Sequence, residues 1–329
     1  MLRLTIRHHT TYRYTAPVTF GRHRLVLRPR EGHDLRITAM RLAIRPAHLL
    51  SWTRDVYGNS VALVDFLEDA DALAIVNEVA IERSDPFPEK RPHEPWRVAW
   101  PVQYEPVEIP VVQSYQASSY LDEADAVRAW VDEVLPQRIP NDAEGNVTAL
   151  GRAVHDAIAY RRREEKGVQS PAQTIALGSG SCRDMATLLM EAARGLGVAS
   201  RFASGYLHGT ASLAGRASTH AWTEVYLPAL GWRGVDPTIG AAIGLHHVVT
   251  GVSQHPRGVM PVSGTFQRGL GAFQGMQVQV ETRVLADGED GTLPAPDAPE
   301  SARESGARLV RRAPPAPTVG PTPSGASST

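Results

Sequence analysis

A single cysteine occurs in this chain of 329 residues, and its surroundings mark it as a candidate nucleophile. Cys182 lies in GSGSCRDMATLLMEAARGLG, between a Gly/Ser-rich segment and the start of a predicted helix. A thiol at a helix N-terminus faces the positive end of the helix dipole and unpaired backbone N–H groups, which favour the ionised sulfur. Gly178 and Gly180 let the backbone approach a substrate closely, and the Cys182 N–H is free to bind an oxyanion. The alternative is an inert, buried cysteine, so a nucleophile requires a base nearby.

Among the twelve histidines, His220 has the context expected of that base. In THAWTEVYL it alternates onto one face of a predicted strand with Trp222 and Glu224. If LPALG forms the loop to the next strand, GWRGVDP, then Trp222 lies opposite Asp236, and His220 becomes a diagonal neighbour of that carboxylate. A loop of four residues would place the two side chains on opposite faces. A carboxylate within reach holds the imidazole in one tautomer and stabilises its cation, which predicts a triad of Cys182, His220 and Asp236.

One further part of the candidate site stays open at this point. Beside the base, Trp222 and Glu224 either shield and position the imidazole or serve as sheet packing and a solvated carboxylate.

The elements that must position these residues divide the chain into three predicted parts. Residues 1–95 alternate apolar and polar side chains in short runs, which predicts an N-terminal antiparallel β-sandwich. Residues 96–285 begin with helical periodicity, as in NVTALGRAVHDAIAY, and continue as strands, so this part is predicted to be an α+β catalytic core. Residues 286–329 are rich in Pro, Ala, Gly, Ser and Thr and are predicted to form a disordered tail.

Composition limits the classes of function. With 42% hydrophobic and 21% charged residues and a formal charge of −1, the chain has no overall attraction to nucleic acid or membrane. The arginines of residues 1–50 are interpreted as the solvated faces of strands, because no nucleic-acid motif accompanies them. No segment approaches the ~20 apolar residues of a membrane helix, and the N-terminus lacks the apolar region of a signal peptide. One cysteine cannot form an internal disulfide, so we expect a cytoplasmic protein.

Metal and cofactor chemistry has little support in the sequence, and we expect neither. His208, His246, His247 and His255 are numerous enough for a metal site, but neither an H-x-x-x-H pair on a helix nor a cysteine pair accompanies them. The acidic segment DGEDG at 287–291 is the calcium candidate, and it borders the predicted tail. GSGS lacks the lysine and the preceding strand of a phosphate-binding loop.

The segments that carry the candidate triad resemble a known family. GSGSCRDMATLLMEAARGLGVASRFASGYL, followed by HAWTEVYLPALGWRGVDPT, is similar to the core of the transglutaminase-like superfamily. The β-rich YRYTAPVTFGRHRLVLRPR…DVYGNSV and the later GVMPVSGTFQ…MQVQVETRV resemble its bacterial branch. The resemblance implies a papain-like fold, with the cysteine at a helix start packed against an antiparallel sheet. Residue by residue, it implies Cys182 as nucleophile, His220 as base and Asp236 as the orienting acid.

Papain-like sites use a side chain upstream of the cysteine as a second oxyanion donor, and the candidates here are Gln169, Gln173 and Tyr160. Each of them could equally be a surface or packing residue.

The chemistry implied is attack on an amide of a peptide or protein, with a thioester at Cys182. Water would resolve the thioester in a peptidase or amidase, and an amine would resolve it in a transglutaminase; the same residues serve both, so both stay open. The alternative from another class is a non-catalytic peptide-binding or scaffolding module on the same fold.

The chain departs from the bacterial branch in two places. Members often carry an RD…D set before the P-x-x-G that is Pro261–Gly264 here, and this chain has Gln254, His255 and Gly258 instead, which affects the expected substrate preference. Thr219 precedes His220 where an acid is common.

Overall fold

The structure is a computed structural model that describes residues 1–84, 98–163, 165, 167–208, 218–267, 271–286, 289 and 293. The strands are β1 (Leu2–Phe20), β2 (His23–Leu25), β3 (Leu35–Arg45), β4 (His48–Arg54), β5 (Ser60–Phe66), β6 (Ala70–Arg83), β7 (Ala159–Tyr160), β8 (Ser179–Gly180), β9 (Ser200–Leu207), β10 (Ser218–Leu227), β11 (Gly231–Asp236), β12 (Ala241–Ala242), β13 (His247–Ser253), β14 (Val262–Ser263), β15 (Phe266–Gln267) and β16 (Phe273–Val284). The α-helices are α1 (Ile109–Gln116), α2 (Ala124–Val134), α3 (Ala143–Ala157), α4 (Pro171–Leu177) and α5 (Cys182–Gly195). Apart from residues 286, 289 and 293, the predicted tail lies outside the described residues.

The N-terminal strands form the two antiparallel sheets that their alternating sequence predicts. In the first sheet β1 pairs with β6, which pairs with β3, while β15 and β16 also pair with β1. The second sheet has the order β14-β2-β5-β4. Tyr14 and Phe20 from the first sheet pack with Leu25 and Val64 from the second in one buried apolar cluster. The β-sandwich prediction is therefore confirmed.

Strands from far along the chain complete this sandwich. Strand β14 pairs with β2, and both β15 and β16 pair with β1. Residues Met1–Pro294 form one compact unit. The division into domains at 1–95 and 96–285 stays a prediction.

The second half of the described chain packs helices on one antiparallel sheet, as the α+β prediction requires. The sheet has the order β12-β11-β10-β9-β13. Helix α5 lies on this sheet, and its apolar face is buried between the sheet and the other helices. Leu188 and Leu189 of α5 share a buried cluster with Leu150 of α3 and with Val225 and Val235 of the sheet.

The sandwich and the second sheet share a hydrophobic interface. Leu4, Ile6 and Val79 from the sandwich cluster with Tyr206 of β9 and Val248 of β13. This contact fixes the sheet that carries the candidate site against the N-terminal strands. Within the described ranges, no helix combines the length and apolar character needed to cross a lipid bilayer.

Candidate active site

The start of α5 is held by a buried carboxylate two residues after the thiol. Asp184 has no exposed surface, and its Oδ2 accepts hydrogen bonds from the Ser181 N–H and Oγ–H, at 2.8 Å each. The Arg163 Nη1 donates to both oxygens at 2.8 and 2.9 Å, and the Gln169 N–H donates to Oδ1 at 2.8 Å. Cys182 is the first helical residue, so its N–H has no acceptor within the helix. The turn that presents the thiol is therefore fixed, with one N–H facing outward.

The hairpin of β10 and β11 has the register that brings His220 and Asp236 together. Leu227 pairs with Gly231 and Thr223 with Val235, so the next pair in register would be Trp222 and Asp236. This is the arrangement expected if LPALG is the connection. His220 and Asp236 therefore lie on the same face of the hairpin, which a shared site requires.

The three residues predicted to form the triad make a chain of neighbouring side chains. The His220 Nε2 lies 2.8 Å from Asp236 Oδ2, and Cys182 is close enough to the same imidazole to raise its pKa. Because Nε2 faces the carboxylate, Nδ1 is the ring nitrogen left for the sulfur. His220 is 7% exposed and Asp236 is fully buried, whereas Cys182 is partly exposed. The sulfur is thus the member of the chain that solvent and ligands can reach.

The electrostatics of this chain favour a charged imidazole. Burial alone lowers the pKa of His220, but the interactions with Asp236 and Cys182 outweigh it and raise the pKa to about 10. Burial alone raises the pKa of Asp236, but hydrogen bonds from His220 and His247 hold it well below its usual range. The proton of the site is therefore held on the imidazole, between a carboxylate and the sulfur.

Asp236 has further partners that the sequence analysis did not assign to it. Its Oδ1 accepts hydrogen bonds from the Thr238 N–H at 2.9 Å and from the Thr238 Oγ–H at 2.8 Å. His247, which is 3% exposed, places its Nε2 3.1 Å from Oδ2. The sequence analysis named His247 only as a metal candidate, since an irregular connection separates it from Asp236 and no periodicity relates the two.

His220, Asp236 and His247 offer three ligand atoms within 4.8 Å of one another, a spacing that a metal ion could also use. The Gly244 N–H donates to His247 Nδ1 at 3.3 Å, which assigns the proton of that ring to Nε2. Nε2 then faces Asp236 as a donor and not as a lone pair. Hydrogen bonds therefore account for the short distances among these three side chains.

The other histidines considered for a metal lie elsewhere. His208 stacks on His246 with 5.5 Å between the ring centroids, and His255 stacks on Tyr120 at 5.9 Å. The calcium candidate at 287–291 lies outside the described residues, except for Glu289.

Two of the three candidate oxyanion donors are engaged in local structure. The Gln173 Oε1 accepts from the Ser170 N–H at 3.1 Å and so caps α4. The Gln169 Oε1 accepts from the Thr174 Oγ–H at 3.2 Å.

The third candidate, Tyr160, lies beside the thiol. It pairs in parallel with Gly180, two residues before Cys182, and its side chain is 42% exposed. Burial, and then the charges of Cys182 and Asp236, raise the pKa of the Tyr160 phenol. Tyr160 therefore lies near Cys182 and stays a candidate for the second donor.

The two residues that alternate with His220 on β10 have different surroundings. Trp222 is fully buried, and its ring centroid lies 6.3 Å from that of His220, so it packs against the base. Glu224 accepts a hydrogen bond from Arg201 Nε at 2.8 Å and is neither solvated nor part of the chain of neighbouring side chains.

Two family models match separate parts of the chain, and both describe transglutaminase-like proteins. Residues 4–82 match the model of the bacterial transglutaminase-like N-terminal region, and residues 117–237 match that of the transglutaminase-like superfamily. A relative, an uncharacterised protein of Mycobacterium leprae, is 25% identical over 296 residues, which are 87% of this chain and 100% of that protein.

A solved bacterial structure shows a similar fold. The structure of a candidate cysteine protease from Cytophaga hutchinsonii superposes with a TM-score of 0.63 at 16% identity, over 85% of this chain and 90% of that chain. The periplasmic domain of TgpA from Pseudomonas aeruginosa matches with a TM-score of 0.35 at 14% identity, over 73% of this chain and 88% of that chain. The family models support a cysteine-dependent enzyme class, and the Cytophaga structure shows the fold.

Proposed function

Because the chain belongs to the transglutaminase-like superfamily, we propose that it forms a thioester at Cys182 from an amide, either of a peptide bond or of a glutamine side chain. The observation that carries this proposal is the chain of side chains in which the Cys182 thiol neighbours His220 and His220 is hydrogen-bonded to the fully buried Asp236. A binding module on the same fold needs no such chain. The proposal therefore favours an enzyme over a scaffold.

The first half of the reaction forms the thioester. The sulfur, as thiolate, attacks the amide carbonyl carbon, and the carbonyl π electrons move to oxygen. We assign the Cys182 N–H at the start of α5 and the Tyr160 hydroxyl as the two donors to this oxyanion, because Tyr160 pairs with Gly180 just before the thiol. The His220 imidazolium then delivers its proton to the amide nitrogen as the C–N bond breaks, so the amine leaves neutral and a thioester remains.

The second half of the reaction returns the enzyme to its starting state. His220, now neutral, removes a proton from water or from a primary amine, which attacks the thioester carbonyl and expels the thiolate. Water gives the carboxylic acid and an amine gives a new amide. Asp236 stays ionised throughout and stabilises the imidazolium in each half.

Thiol alkylation tests the proposal without knowledge of the substrate. The rate of Cys182 modification by iodoacetamide is measured by mass spectrometry between pH 5 and 9, with His220→Ala as the comparison. Wild type should react rapidly well below ~8.5, the reference pKa of a free thiol, and His220→Ala should lose this low-pH reactivity. A wild-type rate that appears only above that value would sink the enzyme proposal and leave the binding module.

A peptide library identifies the reaction. Peptides with glutamine and other amides are incubated with the protein, with and without a primary amine, and Cys182→Ala is the matched control. A mass change confined to glutamine indicates deamidation or transamidation, and cleavage indicates a peptidase. No change relative to Cys182→Ala with any peptide counts against an amide substrate.

A further inference from the structure

His247 occupies a place in the site that the three-residue chain does not require. It opens β13, and β9 lies between that strand and β10, which carries His220. Its ring is nevertheless buried against the site: the centroid lies 5.3 Å from that of Trp222, edge to face, and 6.2 Å from that of His220. A buried imidazole aimed at a catalytic carboxylate calls for a chemical explanation.

The hydrogen bonds of His247 define what the ring can do. Its Nδ1 accepts from the Gly244 N–H at 3.3 Å, and its Nε2 lies 3.1 Å from Asp236 Oδ2. The neutral tautomer with the proton on Nε2 satisfies both contacts, whereas a cation would turn Nδ1 into a second donor facing the Gly244 N–H. Burial lowers the pKa of His247 and outweighs the hydrogen bond to Asp236, in agreement with a neutral ring.

A neutral donor at this position has a different effect from a cation. Oδ2 of Asp236 receives N–H groups from both His220 and His247, while Oδ1 receives two donors from Thr238. Four donors occupy the carboxylate, so it cannot rotate without breaking at least one of these bonds. A lysine or arginine would neutralise the charge of Asp236, but a neutral imidazole leaves that charge available to the His220 cation.

We propose that His247 is a positioning residue of this site, which donates its Nε2–H to Asp236 and so fixes the carboxylate that orients His220. This proposal rests on the proposed function, because orientation of His220 has a chemical consequence only if Cys182 reacts. Without the His247 donor, Asp236 keeps its charge but not its fixed orientation, and the imidazole is free to tilt away from the sulfur.

Two substitutions at His247 separate the donor from the volume of the ring. His247→Gln places an amide N–H near the position of Nε2, whereas His247→Leu removes the donor. His246→Leu is the matched control, since the adjacent imidazole stacks on His208. We expect His247→Leu to lower the Cys182 alkylation rate at pH 6 on the order of tenfold, as loss of a hydrogen bond to a charged group implies. His247→Gln should recover most of that loss, and the control should match wild type.

The outcomes distinguish this inference from the proposed function. Slow alkylation of the wild type at pH 6 contradicts the proposed function itself. Fast wild-type alkylation with an unchanged rate in folded His247→Leu contradicts only the positioning role. Equal losses in His247→Leu and His247→Gln show that the ring acts by its volume, and this also overturns the inference.

A measurement on the wild type keeps the inference testable if the variants do not fold. Nitrogen NMR of protein labelled with ¹⁵N-histidine should show one buried ring at pH 7 with a protonated Nε2 and an unprotonated Nδ1, coupled across the hydrogen bond to Asp236. A ring protonated at Nδ1 or at both nitrogens overturns the proposal. So does a stoichiometric metal ion in the purified protein, because Nε2 would then be a ligand.

Discussion

At the scale of single residues, the site is organised around one proton. Asp236 is fully buried yet ionised, since donors from His220, His247 and Thr238 surround it. Burial lowers the pKa of His220, but the interactions with Asp236 and Cys182 outweigh burial and raise this pKa. The proton consequently stays on the imidazole. Under the proposed function, this imidazolium is the acid that protonates the leaving amine.

Tyr160→Phe tests the second oxyanion donor. Removal of one donor from an oxyanion site typically lowers kcat by about 100-fold or more, and we expect a fall in that direction with little change in KM. The alkylation rate of Cys182 should stay at the wild-type level, because alkylation forms no oxyanion. Steady-state kinetics on the substrate found in the library, together with alkylation, checks both parts. Gln173→Ala, which removes a helix cap, is the control that should leave kcat unchanged.

The sequence indicated the residues whose partners lie along a regular element. Cys182 follows from a helix start, and the relation of His220 to Asp236 follows from strand alternation and one loop length. His247 reaches Asp236, and Tyr160 reaches Gly180, through irregular connections, so neither periodicity nor spacing relates them to the thiol. The structure brings Cys182, His220 and Asp236 together, and their catalytic roles stay predictions.

At the scale of elements, the presentation of the thiol depends on the first turn of α5. Asp184 is buried and contacts Ser181, which is the N-cap of the helix, and Gln169 and Arg163, which lie in the connection between β7 and α4. The helix itself was evident from the period of its apolar residues, as was the antiparallel pairing of β10 and β11. The hydrogen bonds and the ion pair of Asp184 were not evident, because they join the helix to an irregular segment. Sequence spacing does not predict such contacts.

Asp184→Ala should destabilise the protein far more than loss of an ordinary helix cap. It leaves the Arg163 charge partly buried and the Ser181 and Gln169 N–H groups without this acceptor, and breaking a buried ion pair costs about 3–5 kcal/mol. Asp142→Ala, at the N-cap of α3, is the matched control with an expected cost of about 1 kcal/mol. Urea denaturation followed by circular dichroism measures both. Equal losses of stability in the two variants would contradict the role given to the Asp184 hydrogen bonds and ion pair.

At the scale of the whole molecule, the sandwich contacts the sheet that carries His220 and Asp236 through a buried polar pair. The Tyr206 hydroxyl on β9 lies 3.1 Å from His8 Nδ1 on β1, and the other ring nitrogen, Nε2, lies 3.0 Å from Thr10 Oγ1. His8 is 2% exposed. Each sheet followed from its own sequence pattern, but this contact joins residues 198 positions apart and follows from no local pattern. The interface offers a way to test whether the two sheets unfold together.

His8 should make the stability of the whole chain depend on pH. Burial, with a smaller contribution from the neighbouring His9, lowers the pKa of His8 from the ordinary 6.5 to about 4. Between these pH values the unfolded chain binds more protons than the folded protein, so this contribution is complete above pH 6.5 and is lost as pH falls towards 4. The largest loss of stability is about 3 kcal/mol, from 1.36 kcal/mol per pKa unit.

Urea denaturation at several pH values should therefore show that the stability of wild type falls more steeply with decreasing pH than that of His8→Gln. It should be followed by one probe in the sandwich and one at Cys182. His33→Gln, at an exposed turn, is the control that keeps the wild-type decline. If the Cys182 probe does not follow the His8 substitution, the two sheets unfold separately and the shared interface does not couple them.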